Sequence, residues 1–377
     1  MVASYKFGIE EEFFLADAAT RGTPRPRALA AFHRSAHARL PQAERELLQS
    51  QVEVATPPST SFEEARAKLA ALRAGLAEVG RAHGVLVFAA GTHPIARWSR
   101  QRPTEAARYE GIARELRMIG RRSVLCGMHV HVEVPRPEAR IDLMTRMLPF
   151  LPLLLALSTS SPFWQGRETG LAGYRFTVFS DMPRAGLPDL FDGPEDYDRY
   201  VAAMTDAGAI KDASFLWWAL RPSMHYPTIE LRVLDTCTRL DDALAIAALY
   251  RCLVRRVDRD PALNQGLTGG SRALVAENLW RAQRDGVRAE LIGVGASPGV
   301  QPFAARLDAA LALVADDAEA LGCRREVEAS RRIVAEGTSA DGQLAIHAEA
   351  RGRGLDGGQA LGAVVDWLAA TTAGRLS

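Results

Sequence analysis

Four segments of this chain alternate apolar and polar residues with a period of two, and an unusual selection of side chains fills their polar positions. In "GIEEEFFLAD", Glu10 and Glu12 fall on one side of an extended strand, while Ile9, Glu11 and Phe13 fall on the other. In "LLQSQVEVAT", Gln49, Gln51 and Glu53 stand opposite Ser50, Val52 and Val54; in "CGMHVHVEV", His129, His131 and Glu133 stand opposite Val130, Val132 and Val134. In "YPTIELRVLD", Thr228, Glu230 and Arg232 stand opposite Ile229, Leu231 and Val233. One architecture suits all four segments: a sheet with helices against its apolar face and a polar cavity on the other.

Any half-exposed antiparallel sheet alternates, but solvated strand faces favour Thr, Lys, Arg and mixed charges. Here Glu10, Glu12, Glu53 and Glu230 are joined by one nearby cation, Arg232, and by two histidines. Glu10 and Glu12 alone are about 7 Å apart on one strand face and repel. If the strands are neighbours, divalent cations are what would make so many carboxylates tolerable in one cavity. An oxygen-rich donor set favours Mg²⁺ or Mn²⁺, whereas zinc would bring cysteine or more histidine.

The remainder of the chain reads as helices and turns around these strands, with "GVLVFAAGTHP" a further strand-like segment. A helix opens at Ser61, where Ser61 and Glu64 have capping-box spacing, and stops at Gly84. Others open near Thr104 and near Asp241, the latter with Arg255 and Arg256 at its C-terminal end. From "GGSRALVAENLW" onward the pattern is almost all helical. The net charge of +1 gives no case for a nucleic-acid or membrane surface, and Lys6, Lys68 and Lys211 are the only lysines. Arginine is the better residue for planar carboxylates and phosphates, so this bias suits an anionic substrate. Cys126, Cys237, Cys252 and Cys323 form no CxxC pair, which fits a reducing compartment and an expected cytoplasmic location. The chain does not begin with a charged n-region and apolar h-region. The longest apolar run, "MLPFLPLLLAL", is too short to span a bilayer and is expected to be a core helix.

Carboxylates that hold Mg²⁺ commonly serve phosphate chemistry, yet no GxxxxGK[ST] loop is present. "GLTGGSR" lacks the lysine, and "GVGASPG" follows no convincing strand. Phosphate charge would therefore fall to metals and to arginines such as Arg167, Arg175, Arg221 and Arg232.

In chain order, "GIEEEFF", "ELLQSQVEVATPP", "AGTHP", "GMHVHV", "STSSPFWQGRETGLAGYR" and "RPSMHYPTIELRVLDT" resemble the bacterial carboxylate–amine ligases of the glutamate–cysteine ligase type 2 family, within the glutamine synthetase-like superfamily. The resemblance implies an α+β fold: a curved, mainly antiparallel sheet forming a funnel, with helices on its outer face and a helical C-terminal third. Residues 1–377 would make one catalytic domain, with the sheet in about 1–236 and mostly helix in 237–377. It also implies ATP-dependent amide formation with Mg²⁺ (or Mn²⁺), glutamate activated at its γ-carboxylate, cysteine or another amine as acceptor, and a homodimer. The sequence does not fix the amine.

By the same resemblance, Glu10, Glu12, Glu53, His129 and Glu230 match metal ligands, and Glu46 resembles a further ligand at a different spacing. Glu11 faces away, with a peripheral ion pair as its expected role. Arg221 and Arg232 resemble arginines that hold the substrate carboxylate and the transferred phosphoryl group. His131 shares their face and either orients a substrate or is a hydrogen-bonded structural histidine. Arg167, Tyr174 and Arg175 lie in a segment read as a loop reaching the substrates, with Arg175 also toward the nucleotide. His93 either serves the site or caps a turn, and Trp217 and Trp218 read as core. A guanidino kinase or a metal-dependent amide hydrolase on the same fold stays open, as does a binding protein without turnover.

Overall fold

The computed structural model describes residues 4–105, 107–295 and 299–374, so positions 296–298 of "GVGASPG" lie outside the described residues. The strands before residue 236 are β1 (Phe7–Asp17), β2 (Ala43–Arg45), β3 (Gln51–Ala55), β4 (Val85–Phe88) and β5 (Gly127–Glu133), four two-residue pieces, and then β10 (Leu220–Pro222) and β11 (Thr228–Asp235). The short pieces are β6 (Phe163–Trp164), β7 (Arg167–Glu168), β8 (Ala185–Gly186) and β9 (Trp217–Trp218). Seven strands form one open antiparallel sheet in the order β10-β11-β5-β1-β3-β2, with β4 also paired to β1. Its register aligns the polar positions: Glu12 lies opposite Glu53, Glu10 opposite His129, Glu230 opposite His131, and Arg221 opposite Glu230.

The helices through residue 285 are α1 (Pro26–Arg39), α2 (Phe62–Ala82), α3 (Ala107–Arg122), α4 (Arg140–Met147), α5 (Leu151–Ser158), α6 (Tyr174–Phe179), α7 (Pro194–Asp206), α8 (Leu240–Arg259) and α9 (Gly269–Asp285). The odd-numbered β1 residues Phe7, Ile9 and Phe13 are buried, as are Val130, Val132, Ile229, Leu231 and Val233. They pack among apolar residues of α2, α4, α5 and α8. Each such Val, Ile, Leu or Phe contributes about 1.5–3 kcal/mol by leaving water. α8 is buried along nearly its whole length and forms the larger core with Phe7, Ile9 and the apolar residues of β5 and β11, while Phe13, Val52 and Val54 pack with α1 and α2 in a second apolar cluster.

Several expectations from sequence need correction. "LLQSQVEVAT" is not one strand: β3 begins at Gln51, after a turn in which the Gln51 N–H donates to the Leu48 carbonyl, and Gln49 instead bonds the backbone near Pro103. β2 and β10, three residues each, are too short to show a period and complete the sheet edges. At α2 the Ser61 hydroxyl accepts the Glu64 N–H, but the Glu64 carboxylate takes the Ser59 hydroxyl, so the box is only half formed. α3 begins at Ala107, not Thr104, and Arg117 breaks its helical geometry at φ 50°. Helical segments run from Pro137 to Ser158, longer than the apolar run suggested, but 78% of that apolar window is buried within the protein. The C-terminal third contains a small antiparallel pair, Glu290–Ile292 with Val300–Pro302, among its helices. That third is fastened to the sheet-bearing part: Ala89 N–H donates to Thr372 Oγ1, and Gln343 Nε2 to the Ser160 carbonyl.

Gly80 shows how closely α2 approaches β4, because a Cβ there would sit 2.5 Å from the Val85 carbonyl oxygen. Gly80→Ala should therefore destabilise by about 1–3 kcal/mol despite alanine's better helix propensity. The check is the urea midpoint at unchanged m-value; an unchanged or raised midpoint would contradict this packing.

Candidate active site

The polar sheet face floors a cavity of about 340 Å³ whose lining includes Glu10, Glu12, Glu46, Glu53, His129, His131, Arg175, Arg221, Glu230 and Arg232. Strand alternation delivers these side chains together: Glu10 and Glu12 from β1, Glu53 from β3, the histidines from β5, and Glu230 and Arg232 from β11. An apolar wall of Leu47, Leu116, Leu125, Phe179, Met182 and Trp217 borders it.

Two donor clusters meet at His129. Glu10, His129 and Glu230 form one and Glu12, Glu53 and His129 the other; within each, the ligand atoms lie within 4.8 Å of one another. Their electrostatics differ. Burial pushes the Glu53 carboxyl well above its ordinary range, and the negative charges of Glu46, Glu10 and Glu12 push it further. Burial also raises Glu12, with His129 opposing and Glu46 adding to it. At Glu10 burial acts upward too, but hydrogen bonds from His129 and His131 together outweigh it and hold the carboxyl low. At Glu230 burial is outweighed by Arg232 and Arg221, which flank the carboxyl on both sides and hold it well below its ordinary range. Burial, with Arg232 beside it, lowers His129 and favours the neutral imidazole that a metal needs. The residues thus fit hard divalent cations: carboxylate oxygens dominate, one neutral histidine is shared, and the Glu12–Glu53 cluster has an excess of negative charge. Glu46, left open from sequence, lines the same cavity, and its charge is among those that raise Glu53.

The arginines divide differently from the sequence expectation. Arg221 donates from Nε to Glu230 Oε2 at 2.8 Å and from Nη2 to Oε1 at 3.2 Å, while Nη1 bonds the Ser214 and Leu216 carbonyls at 3.0 Å. With four donors so engaged, it orients Glu230 rather than standing ready for a substrate carboxylate. Arg232 also bonds Glu230, and its buried Nε has no partner among the described residues. Arg175 belongs to α6, not to a loop; it is buried, its Nε has no partner among the described residues, and its guanidinium makes only long bonds, to the Arg232 and Val233 carbonyls. Arg175 and Arg232 are therefore guanidinium groups with donors left for an anion.

Arg167 and Tyr174 do not line the cavity: Arg167 is exposed in the β6–β7 pair, and Tyr174 packs against Trp164. His93 caps a turn, with Nδ1 accepting the Ile95 and Ala96 N–H groups, and burial pushes its pKa down to about 3. His131 Nδ1 pairs with Thr228 Oγ1 at 2.9 Å, leaving Nε2 beside Glu10. Trp218 is core, but Trp217 also forms cavity wall, beneath the Arg184 guanidinium. Glu11 makes an ion pair, but it is fully buried against Arg73 rather than peripheral.

Sequence reasoning missed Gly127. Its N–H donates to Glu12 Oε2 at 2.6 Å, and a Cβ there would overlap the Arg175 guanidinium. Gly91 similarly lies against the Asp235 carboxylate, which accepts from Ser160 N–H and Ser161 Oγ at the end of β11. A single sequence does not distinguish such close-approach glycines from turn glycines.

The family model of glutamate–cysteine ligase family 2 matches residues 6–359 of this chain. A Bradyrhizobium diazoefficiens protein with the provisional name glutamate–cysteine ligase 2 is 45% identical over 98% of this chain and 84% of its own. A Rhodospirillum rubrum protein of the same provisional name is 45% identical over 99% and 97%. A solved glutamate–cysteine ligase of Francisella tularensis in complex with AMP superposes with a TM-score of 0.69 at 13% identity, covering 99% of this chain and 89% of that one. A bifunctional glutathione synthetase of Pasteurella multocida gives 0.68 at 15% identity, covering 98% and 52%. These solved structures share the fold.

Two results should separate the clusters. In metal-free protein at neutral pH, Glu53→Gln should raise stability by on the order of 1 kcal/mol, because it removes a buried charge among like charges. Glu230→Gln should lower it by about 3–5 kcal/mol, because it strands two buried guanidinium groups. The folded state binds a proton at Glu53 more tightly than the unfolded state does, so the wild type gains stability as pH falls. The advantage of the Glu53→Gln variant should therefore shrink on acidification. Melting both variants between about pH 5 and 8 without metal tests this, and equal shifts in one direction would refute it. Gly127→Ala should keep a cooperative melt but displace Arg175 and lower kcat at least tenfold; near-normal turnover would remove Arg175 from the reaction.

Proposed function

The chain belongs to glutamate–cysteine ligase family 2 and is an ATP-dependent ligase that joins a carboxylate to an amine; from that premise we propose that glutamate, through its γ-carboxylate, is the acid and cysteine or a related amine the acceptor. One observation carries the reading of the site. Two three-donor clusters share His129 beside two buried guanidinium groups, Arg175 and Arg232, that retain free N–H donors. Glu10, Glu12, Glu53, His129 and Glu230 would hold Mg²⁺ (or Mn²⁺), which when bound offsets triphosphate charge.

The protein's own part is electrostatic. Arg232, fixed by Glu230, and Arg175, seated over Gly127, present positive charge where a transferring phosphoryl group develops negative charge. Arg221 keeps Glu230 in place from β10. His131, fixed by Thr228, borders the same space and can orient a substrate. No cysteine lines the cavity: all four are buried, and burial raises the Cys126 and Cys237 thiols. The route that fits is attack of the substrate carboxylate on the γ-phosphorus, loss of ADP, and attack of the amine on the acyl phosphate with release of phosphate. A guanidino kinase or a hydrolase is not favoured, since the relatives bear ligase names. A cytoplasmic location, supported by four unpaired cysteines, and a homodimer, supported by the family resemblance, complete the proposal.

With glutamate labelled by ¹⁸O in its γ-carboxylate, one labelled oxygen should reach phosphate for each amide formed, and hydroxylamine should give the γ-hydroxamate. Amide with unlabelled phosphate would exclude the acyl phosphate. Absence of any ATP-dependent product from glutamate and a panel of amines would exclude glutamate as the acid.

A further inference from the structure

The ion pair behind the sheet connects β1 to the segment that follows β11. Glu11 lies between Glu10 and Glu12 on β1 but points into the core, where Arg73 of α2 binds it through Nε at 2.9 Å and through Nη2. The two side chains are 0% and 3% exposed, and the guanidinium also lies over the Phe13 ring. Arg73 then reaches a second element: Nη1 donates to the Thr238 carbonyl at 2.8 Å and Nη2 to the Cys237 carbonyl at 2.9 Å. Those carbonyls closely follow β11, the strand of Glu230 and Arg232. β1 and β11 are not neighbours, because β5 lies between them. The ladder joining β11 to β5 also shifts register between Leu231 and Leu234, just beyond Glu230. Past the shift the ladder resumes, with Leu234 opposite Met128 and Asp235 opposite Gly127, so strand pairing locates β11 relative to β1 only through β5, whereas Arg73 joins β1 directly to the segment after β11.

We propose that Arg73 is a positioning residue that sets the separation of Glu10 and Glu230, and hence the shape of the cluster they form with His129. The inference rests on the metal-site reading given above. It makes a selective claim: the Glu12–Glu53–His129 cluster draws on β1, β3 and β5, which are direct neighbours, and does not depend on the Arg73 tie.

The test uses Mn²⁺ binding to otherwise metal-free protein, followed by electron paramagnetic resonance of free Mn²⁺. In a Glu53→Gln background the Glu10 cluster is isolated, and in a Glu10→Gln background the Glu53 cluster is isolated. Into each is placed Glu11→Leu/Arg73→Met, which substitutes apolar groups for a buried ion pair, an exchange that commonly preserves stability. The proposal predicts a cooperative melt, at least tenfold weaker Mn²⁺ binding in the first background, and binding within about twofold in the second, the limit for independent sites. Arg73→Lys, which can keep one carbonyl bond, should recover part of the loss. Equal weakening in both backgrounds would make Arg73 a purely structural residue and overturn the proposal, as would unchanged binding in both. If the double variant fails to fold, Arg73→Lys decides by the same contrast. Failure of the wild-type protein to bind Mn²⁺ at all would instead remove the metal reading on which the proposal stands.

Discussion

Repulsion among buried carboxylates is the constraint around which this protein is organised. Glu12 and Glu53 face each other across adjacent strands, with Glu46 beside them and Glu10 two residues away. Desolvated like charges at such proximity oppose folding unless protons or cations offset them. A core designed for stability alone would have no reason to collect them. The sheet must therefore be stabilised elsewhere, and the almost fully buried α8 against the apolar face supplies that.

The neighbouring cluster solves the same problem internally. Glu230 is flanked by Arg221 and Arg232, and Glu10 by two histidines, so that half of the cavity is nearly charge-balanced before any ligand binds. The asymmetry gives the two halves different work. The Glu53 half gains most from an added cation, while the Glu230 half fixes a guanidinium at a set place. Arg73 carries the same logic through the sheet, balancing Glu11 in the core while tying β1 to the segment after β11.

How much of this was legible in the sequence follows from period and range. Glu10, Glu12, Glu53, His129 and Glu230 could be grouped because strand alternation is local and their residue types were wrong for a solvated face. A sheet backed by helices followed from the same pattern, while its mainly antiparallel, curved form was implied by the family resemblance. Partnership across long separations was not legible. Arg73 reads as an ordinary arginine of an amphipathic helix, and nothing near it announces Glu11. Arg221 looked free because the cross-strand pairing that occupies it depends on β10, three residues without a period. Arg167 and Arg175 sit eight residues apart in one segment, yet one is exposed and the other buried, a difference set by tertiary packing around Gly127.

The central claim is that this face of the sheet is built to hold divalent cations. Anomalous diffraction from a crystal soaked in Mn²⁺ and a non-hydrolysable ATP analogue tests it directly. The account predicts peaks among Glu10, His129 and Glu230 and among Glu12, Glu53 and His129, with the analogue's phosphates toward Arg175 and Arg232. Bound nucleotide with no anomalous peak within coordination distance of Glu12, Glu53 or Glu230 would contradict it.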